Sequence, residues 1–160
     1  MREVLIQILC AGVGTMGFAL VFQLKRQHLL VAFLGGTMAW ACYLIVWENG
    51  GGYFFSMLVA SAVVCVWSEG QARVRMAPAN VFLIPSIIPL LPGGLLYYAM
   101  SGLVSGDYDQ FVQNGIATLQ VAVGISSGVI IGSEIIRIVI SVRRGKREER
   151  VKKGNAEGKN

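Results

Sequence analysis

The sequence predicts an all-α, polytopic integral membrane protein: a bundle of five transmembrane helices whose fourth helix is broken by prolines. Three observations predict this fold class. Hydrophobic residues make up 54% of the 160 residues and charged residues only 14%, and the mean hydropathy is +0.61, too apolar for an ordinary soluble domain of this size. Five stretches approach the roughly 20 apolar residues that cross a hydrocarbon core of about 30 Å as a helix. All four prolines fall between residues 78 and 92, in or just before the fourth stretch.

The five spans are predicted to follow one another with short polar connectors. They are expected at residues 4–24, 29–47, 53–68, 79–100 and 114–140. The first follows Arg2 as a secretory signal would, but no small-residue cleavage pattern comes after it, so we expect it to be retained. The third is short and the fifth long, and tilt or an extension beyond the membrane absorbs the difference. The membrane domain is therefore predicted at residues 1–142, followed by a basic, disordered cytoplasmic tail at 143–160.

The distribution of Lys and Arg predicts the orientation. Apart from Arg2 and from Arg137 near the inner end of the fifth span, these residues occur in the connectors at 25–28 and 68–75 and in the tail. The connectors at 48–52 and 101–111 contain none and carry three acidic residues. Because cytoplasmic loops carry the excess of Lys and Arg, we expect the N-terminus outside and the C-terminus in the cytoplasm of a cell membrane. A nucleic-acid partner is not expected, since the tail lacks aromatic residues and follows a span.

The fourth span is the predicted functional element. Its prolines at 85, 89 and 92 share one helical face and remove the backbone donors for the carbonyls of Val81, Pro85 and Ile88. Broken helices persist at membrane depth where they are buried in protein or line a hydrated cavity, and they mark substrate sites in many transporters. A packed proline kink without a ligand is the equal alternative. The expected substrate path comprises Val81, Pro85, Ile88, Pro89, Pro92, Gly93 and Gly94, with Asn80 and Gln23 as the nearest neutral polar side chains.

The fifth span carries a glycine face and a pair of charges. Gly124, Gly128 and Gly132 recur every four residues, a pattern typical of close helix packing, with ligand contact as the alternative. Glu134 and Arg137 lie three residues apart and can pair on one face. Their side chains either snorkel to the interface or couple transport to a proton or a substrate charge.

An enzyme is not expected. The chain has one histidine and no recognisable catalytic motif, and His28 is predicted to be a solvated interfacial residue. Cys10, Cys42 and Cys65 fall in apolar spans and are predicted to be reduced, buried side chains. We therefore expect neither a metal site nor a cofactor.

Several segments together resemble a known family. They are GFALVF (17–22), SMLVAS (56–61), PANVFLIPSIIPLLPGG (78–94) and the serine pair of the fifth span. They are similar to the small, YjjB-type subunit of the split threonine/serine exporter family. The resemblance implies export of small polar metabolites, with threonine and serine or a dicarboxylate such as succinate as candidates, together with a larger membrane subunit. Family members can have Asn at the end of the first motif, where this chain has Gln23.

Two other functions stay open at this point. The chain is a non-transporting membrane scaffold that stabilises a partner if its prolines and glycines serve packing alone. It is a self-sufficient homo-oligomeric channel if the glycine face of the fifth span builds contacts between copies. Substrate flux that requires both subunits distinguishes the exporter from these alternatives.

Overall fold

The protein is a bundle of α-helices joined by short turns. The computed structural model describes the backbone of residues 2–157 and the side chains of residues 2–142. The helices are α1 (Arg2–Val21), α2 (Arg26–Glu48), α3 (Gly52–Arg75), α4 (Asn80–Ile87), α5 (Gly93–Ser105) and α6 (Tyr108–Glu157). A 3₁₀ turn, Ile88–Leu90, directly follows α4. No β-strand occurs in this described part of the chain.

Four helices are long and apolar enough to cross a membrane, and a bent helix pair makes a fifth unit when it is counted as one span. Three are the helices α1, α2 and α3, and another is the Tyr108–Val142 part of α6. The remaining unit is a bent pair, in which Asn80–Leu90 and Gly93–Ser105 meet at an angle of 48°. Prolines without backbone donors account for the break. The predicted fold class, an all-α polytopic bundle whose fourth span is broken, is confirmed.

Helix α3 is longer than the sequence predicts. The sequence predicts that the third span ends at residue 68 and that a connector covers 68–75. The helix instead continues through this stretch to Arg75 and ends at Met76, which has a left-handed φ of 51°. The polar residues of this stretch are good helix formers. Arg73 lies 3.7 Å from Glu69 one turn earlier, and arginines in a last turn interact favourably with the helix dipole. This extra length carries the charges of α3 away from its apolar part.

Helix α6 also extends beyond its predicted limits of 114 and 140. It begins at Tyr108, where the side chain of Asp107 accepts a hydrogen bond from the Gln110 N–H at 3.0 Å and so caps the first turn. At its other end the backbone stays helical to Glu157, where the sequence predicts disorder. The residues after 142 are mainly Arg, Lys and Glu, which favour helix, and no proline interrupts them. Residues 158–160 of the predicted tail lie outside the described residues.

Helix α6 packs along α3 through its glycine face. A methyl group added at Gly124 would lie 2.7 Å from the Phe54 carbonyl oxygen, and one added at Gly132 would lie 2.8 Å from Cys65 Cβ. One added at Gly128, between them, would collide with the Leu58 carbonyl. The three glycines therefore bring the two backbones into direct contact within one chain.

The proline break is anchored in the centre of the bundle. Leu90, at the end of the 3₁₀ turn, is fully buried in an apolar cluster with Ala39 of α2, Val64 of α3 and Val121 of α6. Three helices thus surround the point at which the fourth span changes direction. The break lies in the protein interior at this residue, away from the lipid-facing surface.

The two ends of the bundle differ in charge. We call the end where α2 begins and α3 ends the basic end; it carries Lys25, Arg26, Arg73 and Arg75. The opposite end, where α2 ends and α3 and α6 begin, carries Glu48, Asp107 and Asp109 and is called the acidic end.

Candidate functional site

The fourth span breaks in two steps. Helix α4 first tightens into the 3₁₀ turn, in which the N–H of Leu91 donates to the Ile88 carbonyl at 3.1 Å. The chain then extends at Leu91 (φ −64°, ψ 138°) and leaves the helical region at Pro92 (ψ 47°) before α5 begins. The N–H of Gly93 donates to the Leu91 carbonyl at 2.8 Å. The backbone N–H groups of Leu91 and Gly93 and the carbonyls of Ile88 and Leu91 are therefore satisfied locally.

This geometry corrects one expectation about free carbonyls. The sequence predicts unpaired acceptors at Val81, Pro85 and Ile88, and the prediction is wrong at Ile88, whose carbonyl bonds to Leu91 in the tighter turn. Pro85 is buried and Val81 half-buried. Both belong to α4, which packs between α2 and α3, so these two residues lie in the interior of the bundle.

A cleft opens beside the 3₁₀ turn. It has a volume of about 430 Å³ and lies between α1, α2 and the break. Its lining residues are Gln7, Cys10, Ala11, Gly14, Phe18, Trp40, Ile88 and Pro89. Two of the predicted path residues, Ile88 and Pro89, therefore face a space large enough for a small molecule.

The cleft is mainly apolar, and two of its lining residues carry polar groups. Trp40 lines the cleft, and its indole N–H is buried with no hydrogen-bond partner among the residues that the structure describes. Gln7 of α1 adds an amide. A methyl group at Gly14 would meet nothing within 4 Å, so this glycine widens the cleft. Sequence reasoning missed Trp40 and Gln7, because only the packing of α1 and α2 against the break brings them there.

Other predicted path residues lie elsewhere. Gln23, with φ 55°, is exposed in the turn between α1 and α2, and Asn80 is exposed at the start of α4; both are at the basic end. Gly93 and Gly94 are exposed at the start of α5, where an added methyl group would meet nothing within 4 Å. Pro92 is half-buried beside them. None of these five lines the cleft.

Glu134 and Arg137 of α6 line a second cleft, of about 320 Å³, at the basic end. Arg137 lies 3.4 Å from Glu134, with 80% and 55% of their side chains exposed. Glu69 and Arg73 of α3 line the same cleft. Two exposed ion pairs that are each contained in one helix contribute little to stability. The two groups named as coupling candidates are thus accessible from the basic end.

A further polar group appears between α2, α3 and α4. His28 is only 7% exposed, so the expectation of a solvated residue is wrong. Its ring meets the Phe82 ring edge-on, with centroids 5.3 Å apart. His28 Nδ1, Trp67 Nε1 and Ser86 Oγ are buried without a hydrogen-bond partner among the described side chains. No signal in the sequence separates these residues from ordinary interfacial or packing residues.

No three His, Cys, Asp or Glu side chains within residues 2–142 come together as a metal-binding group.

The sequence matches the model of a family described as Threonine/Serine exporter, ThrE, over residues 7–135. The matched region starts in α1 and ends in α6, and it includes the break and every lining residue of the cleft beside Pro89. Ile136, Arg137 and Ile140 of the second cleft lie beyond it. No solved structure matches the chain.

Proposed function

We propose, from the premise that this chain belongs to the threonine/serine exporter family, that it is a membrane subunit of a secondary transporter. It exports small polar metabolites, either amino acids of the threonine and serine type or a dicarboxylate such as succinate. The substrate crosses unchanged, without catalysis. The chain works with a larger membrane subunit of the same family.

One observation carries this proposal: a cleft of ligand size lies at the break of a membrane-embedded helix. Ligand pockets span roughly 300–1,000 Å³ and are mostly apolar with a few polar groups that orient the ligand. The cleft beside Pro89 has both properties, since Trp40 and Gln7 are its polar groups. Discontinuous helices form substrate sites in secondary transporters because their ends expose polar backbone at depth.

The role of the partner follows from the incomplete wall of this cleft. One side of it is α1, which packs mainly on α2 and exposes Leu5, Leu9 and Val13 by about half or more of their surface. A lipid-facing side would let a polar substrate escape into hydrocarbon. We therefore assign to the larger subunit the task of closing the cleft along α1.

The proposed orientation places the basic end in the cytoplasm of the cell membrane, with the N-terminus outside and the C-terminus inside. Substrate then enters from the basic end and leaves at the acidic end. Glu134 and Arg137, near the entrance, are the candidates for a coupling role.

Flux into proteoliposomes tests the proposal. Vesicles receive this chain, the larger membrane subunit, or both, and the transport of labelled L-threonine, L-serine and succinate is measured. The proposal expects flux with both subunits together. Equal flux with the larger subunit alone would instead identify this chain as a scaffold, and flux with this chain alone would identify a homo-oligomeric channel.

A further inference from the structure

Two hydrogen-bond donors without acceptors meet at one glycine in the bundle interior. A methyl group added at Gly35 of α2 would collide with Ser86 Oγ of α4 and would lie 3.6 Å from Trp67 Cδ1 of α3. Cδ1 is the ring carbon bonded to Nε1. Both Ser86 Oγ and Trp67 Nε1 are buried, with no partner among the described side chains. The hydroxyl and the indole N–H therefore occupy the same small region between three helices.

Buried span hydroxyls occur in two states. Ser56 and Ser68 of α3, like Ser86, are buried without a partner among the described residues, whereas Ser61, also fully buried, donates to the Met57 carbonyl at 2.6 Å. Thr15 and Ser127 donate to carbonyls one turn earlier, at 2.8 Å and 2.6 Å. Ser86 is four residues after Phe82 in the proline-containing helix α4 and makes no such bond. What sets Ser86 apart is that a second unpartnered donor, the Trp67 indole, lies at the same glycine. A buried donor without an acceptor is unfavourable, and an acceptor at another stage of the protein's cycle would satisfy both donors at once.

The residues between these donors and the basic end are cationic or neutral. His28 contacts Phe82, which lies one turn before Ser86. Arg75 of α3 donates to the Gln27 carbonyl at 2.9 Å and so holds its guanidinium over the first turn of α2. That turn has no acidic residue, and α4 has no charged residue at all. The surroundings therefore favour an anionic group over a cationic one.

We propose that the interface between α2 and α4 opens to bind the carboxylate of the exported metabolite, with the Ser86 hydroxyl and the Trp67 indole as its donors. The inference rests on the proposed function and names the chemistry that its substrates share. In the present conformation Ser86 fills the space at Gly35, so a carboxylate enters when α4 moves away from α2. Helix α4 is eight residues long, contains Pro85 and is separated from α5 by the 48° bend, features typical of a segment that shifts as a unit.

Thiol labelling of the full chain in membranes with its larger subunit tests this proposal. Cys10, Cys42 and Cys65 are first replaced by Ala, and Ser86→Cys is then compared with Ser61→Cys. Ser61 is the matched control because it is equally buried but faces α6. With a water-soluble maleimide supplied from the basic end, Cys at 86 is expected to react faster than Cys at 61.

Ligand protection identifies the chemistry. L-threonine or succinate, at ten times the dissociation constant, should slow labelling at position 86 about ten-fold by mass action. L-threoninol, which lacks the carboxylate, should not slow it. Protection by threonine alone assigns an amino acid carboxylate, and protection by succinate alone assigns a dicarboxylate. Labelling as slow as at position 61, or equal protection by threoninol, overturns the proposal.

A second variant covers the case in which Ser86→Cys does not fold. Trp67→Phe keeps the ring and removes the donor, so it should raise the KM for flux about ten-fold while the maximal rate stays similar. Trp47→Phe, at the acidic end of α2, is the control. Suppose that the complex transports threonine, that the KM is unchanged in Trp67→Phe, and that no carboxylate protects position 86. These results refute this inference and leave the proposed function intact. Carboxylate protection at position 86 without any flux supports the inference and refutes the proposed function.

Discussion

Replacing Gly128 by Ala should separate α3 from α6. The added methyl group would collide with the Leu58 carbonyl oxygen and with Ser61 Oγ. The carbonyl belongs to the helical backbone and cannot turn away. The hydroxyl of Ser61 is held by its bond to the Met57 carbonyl. Relieving these collisions therefore requires α3 and α6 to move apart, and their contact is the most extensive between any two helices of the structure.

The size of the effect follows from two opposing terms. Overpacking a close contact costs about 1–3 kcal/mol, whereas Ala in a helix interior is favoured over Gly by about 0.8–1 kcal/mol. The free energy of unfolding should therefore fall by up to roughly 2 kcal/mol. For a chain of this size that corresponds to a decrease in apparent Tm of up to about 8 °C. The measurement is the unfolding of the detergent-purified protein, followed by tryptophan fluorescence.

Gly115→Ala is the matched control in the same helix. A methyl group at Gly115 would meet nothing within 4 Å, so only the gain in helix propensity remains and Tm should stay or rise slightly. If the two variants melt at the same temperature, direct contact of the α3 and α6 backbones does not stabilise the bundle and the packing argument fails.

Three further changes test the two clefts. Replacing Pro89 and Pro92 together by Ala should straighten the fourth span and reduce efflux without loss of membrane insertion; unchanged efflux would remove the break from the mechanism. Trp40→Phe deletes the buried indole N–H of a residue that lines the cleft and should raise the KM for transport by about five- to ten-fold. The control Trp47→Phe should leave the KM unchanged. Equal KM values in the two variants would exclude the Trp40 indole as a substrate-binding group. Glu134→Gln should change the free energy of unfolding by less than about 1 kcal/mol, because its ion pair is exposed; a larger loss on denaturant unfolding would contradict this surface assignment.

The fold could be predicted from local features because a membrane span is set by a continuous run of residues. Apolar length located the five spans, and the missing donors of Pro89 and Pro92 located the break. The ends were less predictable, since helix formers continue α3 to Arg75 in a stretch whose charge suggests a connector. Hydropathy indicates where a chain can leave the hydrocarbon. A helix, in contrast, ends only where its pattern of backbone hydrogen bonds ends.

The candidate site was only partly predictable, because it depends on which helices become neighbours. Pro89 could be named from its own backbone chemistry, but Trp40 belongs to a different span and shares no motif with it. Gln23 and Asn80 were chosen as nearby polar residues in sequence, and both instead lie exposed at helix ends. His28 follows two cationic residues, yet it is buried because α4 covers the first turn of α2 with Phe82.

The two polar regions lie on different sides of the segment formed by α4 and the 3₁₀ turn, which constrains how a substrate could pass. The cleft at Pro89 lies on the side of α1, and the Ser86 and Trp67 donors lie on the side of α2 and α3. Because Leu90 is packed by three helices, the 3₁₀ turn at the break is more constrained than the start of α4 at the basic end. Movement of α4 away from α2 is therefore expected as a tilt about Leu90, which would expose Ser86 while leaving the cleft wall at Pro89 nearly in place. A substrate held first by its carboxylate at Ser86 could then reach the cleft without dissociating into lipid, and the order of the two sites would run from the basic end toward the acidic end.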